Sequence, residues 1–272
     1  MQPIGKVLLT LMPQLTSGSE VDRYTCEGCG QEVSVIEIPI IGGPNKGKLT
    51  RQKRGCLCWE YEQARQAKIE QRKLKIDYMF ERYSTVNPEL EGASFENYKR
   101  LNPKLEEAYN KAYKYAASFS LDEPSNLLFS GMYGLGKSHL AYSVCKVVRE
   151  KGYLAIFISV PKLLTIIRSS FKNDLNASEA ELLEALSTVD FLVLDDLGAE
   201  RVKKEEHGES WAAEKLFEII DGRCGRHTLY TTNLSSDELR RKTGERNFSR
   251  MMANTEPVRF EGRDYRIHNK RF

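Results

Sequence analysis

From residue 105 onward the chain alternates between two kinds of hydrophobic pattern. Short apolar runs, Asn126 to Phe129, Leu154 to Ser159, Phe191 to Leu194 and Leu229 to Thr232, predict strands buried on both faces. The longer stretches between them predict helices: Leu105 to Phe119, Lys137 to Lys151 ending at Gly152, Pro161 to Phe171, Ser178 to Leu186 and Trp211 to Ile220. Pro161 suits a first helical turn, and Glu181 three residues after Ser178 fits a capping box. Strands alternating with helices imply an α/β class, a parallel sheet covered on both faces. Earlier in the chain, Glu32 to Ile41 is rich in Val and Ile, and Gly42-Gly43-Pro44-Asn45 breaks it, so a hairpin is expected. Trp59 to Tyr83 lacks Gly and Pro and predicts a charged helix. Ser84 to Pro103 contains Pro88, Gly92 and Pro103 and reads as a hinge or linker, while residues 1–25 show little periodicity. The expected division is a small module over 1–58, a helical linker over 59–91 and an α/β domain over 92–272.

Composition narrows the setting. In 272 residues, 40% are hydrophobic and 29% charged, enough for a packed core, and the net charge is only +3. No apolar run approaches the roughly 18 residues of a membrane span. Val7 to Met12 is short and followed by Pro13, unlike a signal peptide, so a cytoplasmic protein with no membrane partner is expected. Four of the six cysteines lie between Cys26 and Cys58. Cytosolic thiols stay reduced, so this cluster suggests metal, while Cys145 and Cys224 are expected to be buried small hydrophobes.

The sharpest chemistry lies between the first predicted α/β strand and its helix. Gly131-Met132-Tyr133-Gly134-Leu135-Gly136-Lys137-Ser138 fits G-x-x-x-x-G-K-[ST]. Gly131, Gly134 and Gly136 let backbone N–H groups close around phosphate, and the helix N-terminus through Ser138 and His139 adds its partial positive charge. Lys137 is expected at the β/γ-phosphates and Ser138 on Mg²⁺. Such a match arises by chance in roughly one chain of this length in a hundred, and the strand and helix around it lower those odds. Phe191-Leu192-Val193-Leu194 ends in Asp195 and Asp196, carboxylates at the end of a buried strand where ligands sit. Asp195 is expected to hold Mg²⁺, directly or through water, and Asp196 to act as general base. No Asn-Lys-x-Asp element is present, which favours ATP over GTP.

Cys26-x-x-Cys29 and Cys56-x-Cys58 supply four thiolates for one tetrahedral Zn²⁺. Lys46, Lys48, Arg51, Lys53 and Arg54 form a basic run inside this module. It reads as a solvated loop, or as a contact for nucleic acid or an acidic partner.

The segments Leu192 to Gly198, Thr231-Thr232-Asn233, Glu245 to Met251 and Gly262-Arg263-Asp264-Tyr265-Arg266, with the phosphate loop and the helix through Phe171, resemble the DnaC/DnaI-type helicase loaders. These belong to the AAA+ clade that also holds replication initiators and IstB-type transposition helpers. The resemblance covers about residues 92–272. It implies that Asn233 is sensor 1, orienting the attacking water. Arg250 is implied as an arginine finger reaching the neighbouring subunit's γ-phosphate, and Arg266 as sensor 2, with Arg246 and Arg263 as nearby alternatives. It places an extra helix at Leu163 to Lys172, where Arg168, Phe171 and Lys172 would contact single-stranded DNA; the spacing of Phe171 from Leu163, Leu164 and Ile167 also suits a core residue. Replication initiators continue into a duplex-binding domain, whereas here little follows Arg266. The expectation is an ATPase that self-associates through its AAA+ domain and loads the replicative hexameric helicase onto single-stranded DNA, with the zinc module binding the helicase. The alternatives are a transposition helper and a non-enzymatic inhibitor of the helicase or its loader.

Overall fold

The computed structural model describes residues 18–170, 179–199 and 211–265. The chain divides into two units, residues 1–71 and 72–272.

In the first unit the sequence folds as a three-stranded antiparallel meander of β1 (Ser19–Thr25), β2 (Glu32–Pro39) and β3 (Leu49–Arg54), in the order β1-β2-β3. Val33, Val35 and Ile36 of the central strand are buried. The expected hairpin joins β2 to β3, closed by Ile40 N–H to Lys48 O and Gly47 N–H to Ile40 O, both 2.8 Å. Strand β1 was hidden in the sequence because SEVDRYT is exposed throughout and its register shifts between Glu20 and Asp22. Helix α1 (Cys58–Tyr83) begins in the first unit and ends in the second.

In the second unit β4 (Asn126–Gly131), β5 (Ala155–Ser159), β6 (Phe191–Asp195), β7 (His227–Thr232) and β8 (Thr255–Phe260) form one parallel sheet in the order β5-β6-β7-β4-β8. Strand side chains alternate between faces. Phe129, Phe157, Phe191 and Val193 face the core shared with α2 (Pro103–Ala117) and α3 (Lys137–Glu150). Leu128, Ile156, Leu192 and Leu194 face the core shared with α4 (Val160–Ser170), α5 (Glu179–Thr188) and α6 (Trp211–Gly222). Apolar side chains on both faces explain the unbroken apolar runs. Two short helices, α7 (Ser236–Thr243) and α8 (Glu245–Met252), precede β8. Ser235 and Glu238 form a reciprocal capping box at α7, a start signal readable from spacing alone. Strand β8 was concealed by Glu256 and Pro257; a proline is tolerated there because β8 lies at the sheet edge.

Two expectations need correction. Residues 84–103 are not a free linker. Phe157 N–H donates to Ser84 Oγ (3.0 Å), Ser159 N–H to Thr85 Oγ1 (3.0 Å), and Thr85 N–H to Phe157 O (2.8 Å). Ala93, Phe95 and Tyr98 are buried in the core of the second unit. The prolines and glycine mark turns in a fixed strap, including a 3-10 turn at Pro88–Leu90. Cys145 is buried as expected, but Cys224 is exposed. Among the described residues no helix is long and apolar enough to cross a membrane.

Candidate functional site

The phosphate loop leaves β4 and enters α3 through Gly136, which caps the helix at φ 78° with no side-chain cap bond. The first N–H groups of α3 are thus left to an incoming anion. Gly136 is required twice over: its φ is left-handed, and a Cβ there would lie 2.6 Å from the Tyr98 ring. At Gly131 a Cβ would strike the Phe260 carbonyl oxygen.

Sheet order decides what stands opposite. Strand β7 lies between β4 and β6, so its end projects Asn233 between the phosphate loop and the two aspartates. Lys137 is only 6% exposed, and its Nζ donates to Gly131 O (2.8 Å), Met132 O (2.7 Å) and Asn233 Oδ1 (2.7 Å). The Asn233 amide N–H in turn lies 3.5 Å from Asp196 Oδ1. Thr231, to which the sequence assigns no role beyond its place in Thr231-Thr232-Asn233, ties the acidic pair together. Its hydroxyl donates to Asp195 Oδ1 (2.6 Å) and accepts from Asp196 N–H (2.9 Å). Asp196 sits at φ 57°, a left-handed conformation uncommon outside glycine and tolerated by Asp. Ser138, Asp195 and Asp196 line one small cavity together with Thr85 and Lys162.

Burial pushes the Asp195 carboxyl up from the ordinary 3.8 to about 6, with the neighbouring Asp196 charge adding to it. The sign follows from proton uptake. Folding raises this pKa, so ionised Asp195 costs stability above about pH 6, and the cost vanishes as pH falls below 3.8. That interval corresponds to about 3 kcal/mol. Nucleotide-free Asp195→Asn is therefore expected to melt several degrees above the parent at pH 8 and to lose that advantage near pH 4. Equal melting temperatures at pH 8, read by scanning calorimetry, would contradict the buried-charge account.

A cavity of about 560 Å³ opens beside the loop, lined by Gly134, Lys137, Ser138, His139, Asp196 and Asn233. Tyr98, Lys99, Leu101, Arg263 and Tyr265 also line it, and of these the sequence points to nucleotide only for Arg263, as an alternative to Arg266. For Tyr98 and Leu101 the signal is an aromatic and an apolar residue inside the stretch punctuated by Pro88, Gly92 and Pro103. The Tyr98 hydroxyl donates to Leu135 O (2.9 Å), and His139 packs edge-on against the Tyr98 ring while its Nε2 meets Ser94 O (2.9 Å). Arg250 does not line this cavity; it is ion-paired with Asp221 at 3.0 Å and half exposed. Arg246 lies over the Phe217 ring, and Arg168 over Trp211. Phe171, Lys172 and Arg266 lie outside the described residues.

In the first unit the four predicted metal ligands converge. The Sγ atoms of Cys26, Cys29, Cys56 and Cys58 all lie within 4.8 Å of one another. A tetrahedral Zn²⁺ with bonds of about 2.3 Å needs sulfurs about 3.8 Å apart, so the set fits with a small contraction. Between β1 and β2, Cys26 N–H donates to Gln31 O (2.8 Å) and Gly30 N–H to Cys26 O (2.7 Å), which curls the chain around the first pair. The second pair opens α1. A hydrogen bond from the Cys56 thiol, then backbone N–H groups of Cys29 and Gly28, lowers the Cys26 thiol to about 7. Its neighbouring thiols push Cys58 up to about 12. One thiolate forms readily and the next resist, which is the condition a bound cation relieves.

Fold and site together define an ATP-binding AAA+ P-loop protein. The chain belongs to the family described as IstB-like ATP binding protein, whose model matches residues 62–272. It is 32% identical over 217 residues to the replicative helicase loader DnaC of Escherichia coli K12, spanning 77% of this chain and 85% of that one. The crystal structure of the DnaC helicase loader superposes with a TM-score of 0.57 and 25% identity, covering 64% of this chain and all (100%) of that one. AMPPCP-bound DnaA from Aquifex aeolicus gives 0.53 at 18% identity, covering 67% of this chain and 54% of that one, a likeness of fold alone.

Proposed function

We propose that this protein is an ATP-dependent loader of the replicative DNA helicase onto single-stranded DNA during replication initiation. The supporting observation is the hydrogen-bonded set Lys137, Asn233, Asp196, Thr231 and Asp195, with Ser138 lining the same cavity, in a chain 32% identical to a helicase loader across 85% of that loader's length. In this reading ATP phosphates take over the Lys137 ammonium from the loop carbonyls. Ser138 and Asp195 hold Mg²⁺, Asn233 orients water, and Asp196 accepts its proton. Arg266 reaches the nucleotide of its own subunit. Arg168, Phe171 and Lys172 contact single-stranded DNA, and the Zn²⁺ module of Cys26, Cys29, Cys56 and Cys58 engages the hexameric helicase. Loading is tested with purified replicative helicase and a protein-coated single strand: helicase should enter the strand only with this protein and ATP. No helicase capture would overturn the reading. The IstB-like description of the family favours a second reading, a transposition helper, which predicts ATPase stimulation by duplex DNA rather than single strands.

Arg250 is proposed to act across a subunit boundary. Its guanidinium is half exposed on α8 and away from its own cavity, available to a neighbour once Asp221 releases it. Arg250→Ala is expected to leave ATP affinity of the dilute chain within twofold and to reduce turnover about 1,000-fold. Mixing it with Lys137→Ala should restore part of the turnover. An ATP affinity that falls in step with turnover in the dilute chain would rule out action in trans.

A further inference from the structure

The first unit carries a cleft that the nucleotide site does not use. Residues 38–59 hold five cations, Lys46, Lys48, Arg51, Lys53 and Arg54, and no Asp or Glu. The last three lie on β3, the edge strand of its sheet. Register sets their direction. Lys53 stands opposite Val35, Arg51 opposite Glu37, and Tyr24 opposite Val33, so all of these share one face. On that face lies a cleft of about 590 Å³, with Val35, Tyr24, Trp59, Arg51 and Lys53 among its lining residues.

Two features separate this face from an ordinary solvated one. Its rings are exposed, Tyr24 by 39% and Trp59 by 55%, although burial of such rings is strongly favourable. The Lys53 ammonium stands 5.6 Å from the Tyr24 ring centroid, which places a cation beside an aromatic platform. Arg51 Nε is bonded to Glu37 at 3.0 Å, but its side chain is 72% exposed. Arg51 and Lys53 occupy successive positions on one face, about 7 Å apart along the strand. They offer a track for an extended polyanion.

The remaining lining residues decide between kinds of polyanion. Asp22 and Glu60 also line the cleft, and Asp22 lies across Val35 from Lys53. An acidic peptide would bring carboxylates against them. A single-stranded nucleic acid would not, because its charge lies on the backbone and its bases are neutral. Bases would enter beside the rings, where carboxylates accept from exocyclic amino groups, and phosphates would follow Arg51 and Lys53 along β3.

We propose that this cleft is a binding site for single-stranded nucleic acid, with bases stacking on Trp59 and Tyr24 and phosphates on Arg51 and Lys53. The site is separate from the strand contacts proposed for the second unit and does not depend on them.

The chain has two tryptophans, Trp59 and Trp211, so Trp211→Phe leaves Trp59 as the only one. Full-length, metal-replete Trp211→Phe protein is titrated with a 20-mer of thymidylate and, in a second arm, with a 20-mer of uridylate. Saturable quenching of Trp59 emission is expected with at least one of them. Tyr24→Ala should weaken binding about 5- to 150-fold, the range for loss of one stacking ring. Joint replacement of Arg51 and Lys53 by Gln should flatten the salt dependence, lowering the slope of log affinity against log salt by about 1.4. Oligomer binding seen by anisotropy without any change in Trp59 emission overturns the proposal, because the strand is then held elsewhere. Unchanged oligomer binding in the Arg51 and Lys53 variant, together with lost capture of the helicase, also overturns it and makes the cleft a protein-docking surface. Zinc content and the amide spectrum of each variant establish that it is folded.

Discussion

ATP affinity is expected to fall by about 30- to 5,000-fold in Lys137→Ala. The ammonium is nearly buried and already fully engaged by two loop carbonyls and the Asn233 amide oxygen. Phosphate oxygens replace neutral acceptors with charged ones, so the bonds shorten and strengthen. Removing one partner from such a buried charged pair typically costs about 2–5 kcal/mol, or about 30- to 5,000-fold. Asp196→Asn is the contrasting variant. Its amide keeps a polar group near Asn233 but cannot accept a proton from water. Nucleotide binding should persist while turnover drops about 100- to 10,000-fold. Calorimetric titration with ATP and a steady-state phosphate assay read the two effects. Binding by Lys137→Ala within about threefold of the parent would remove this loop as the phosphate site.

Stripping the metal is expected to unfold the β1–β3 sheet while ATP binding survives. Only Val33, Val35 and Ile36 are buried in that sheet, far too few to offset the ordering of its chain. A structural zinc there would contribute about 10–16 kcal/mol at neutral pH, enough to decide whether the sheet forms. Because thiolates are the ligands, acid should release the metal as a strong chelator does. Metal analysis of the purified chain should return about one Zn²⁺ per chain. Chelation should collapse the dispersed amide resonances of residues 18–58 and leave ATP affinity within about twofold. The second unit has its own apolar cores on both faces of its sheet, which supports that separation. Retained dispersion after complete metal removal would contradict the account.

Sequence legibility varied with where each signal resides. β4 and β6 were evident because central parallel strands are apolar on both faces, and Lys137 and Asp195 follow directly from them. The cysteine spacing pointed to sulfurs that the structure gathers within 4.8 Å. β1 and β8 were not evident: one is exposed throughout, and the other buries only Val258 and Phe260. Their pairing is a property of neighbouring strands rather than of their own composition. Thr231 was quoted only as part of a motif, since its link between two aspartates exists only once β6 and β7 lie side by side. Tyr98 was missed for a related reason. Its ring matters through the glycine it excludes from carrying a side chain, a contact between positions 38 residues apart.

The strap at Ser84 and Thr85 has a consequence for solubility. An outer strand with open amides and carbonyls is a template on which identical chains can grow by edge pairing. Here the outward N–H groups of Phe157 and Ser159, and the carbonyl of Phe157, are already taken by the strap. Peeling the strap away would expose that side of β5 to other copies. Proteolytic nicking or a destabilising change near residue 85 should therefore show first as turbidity on gentle warming, before any loss of the nucleotide site.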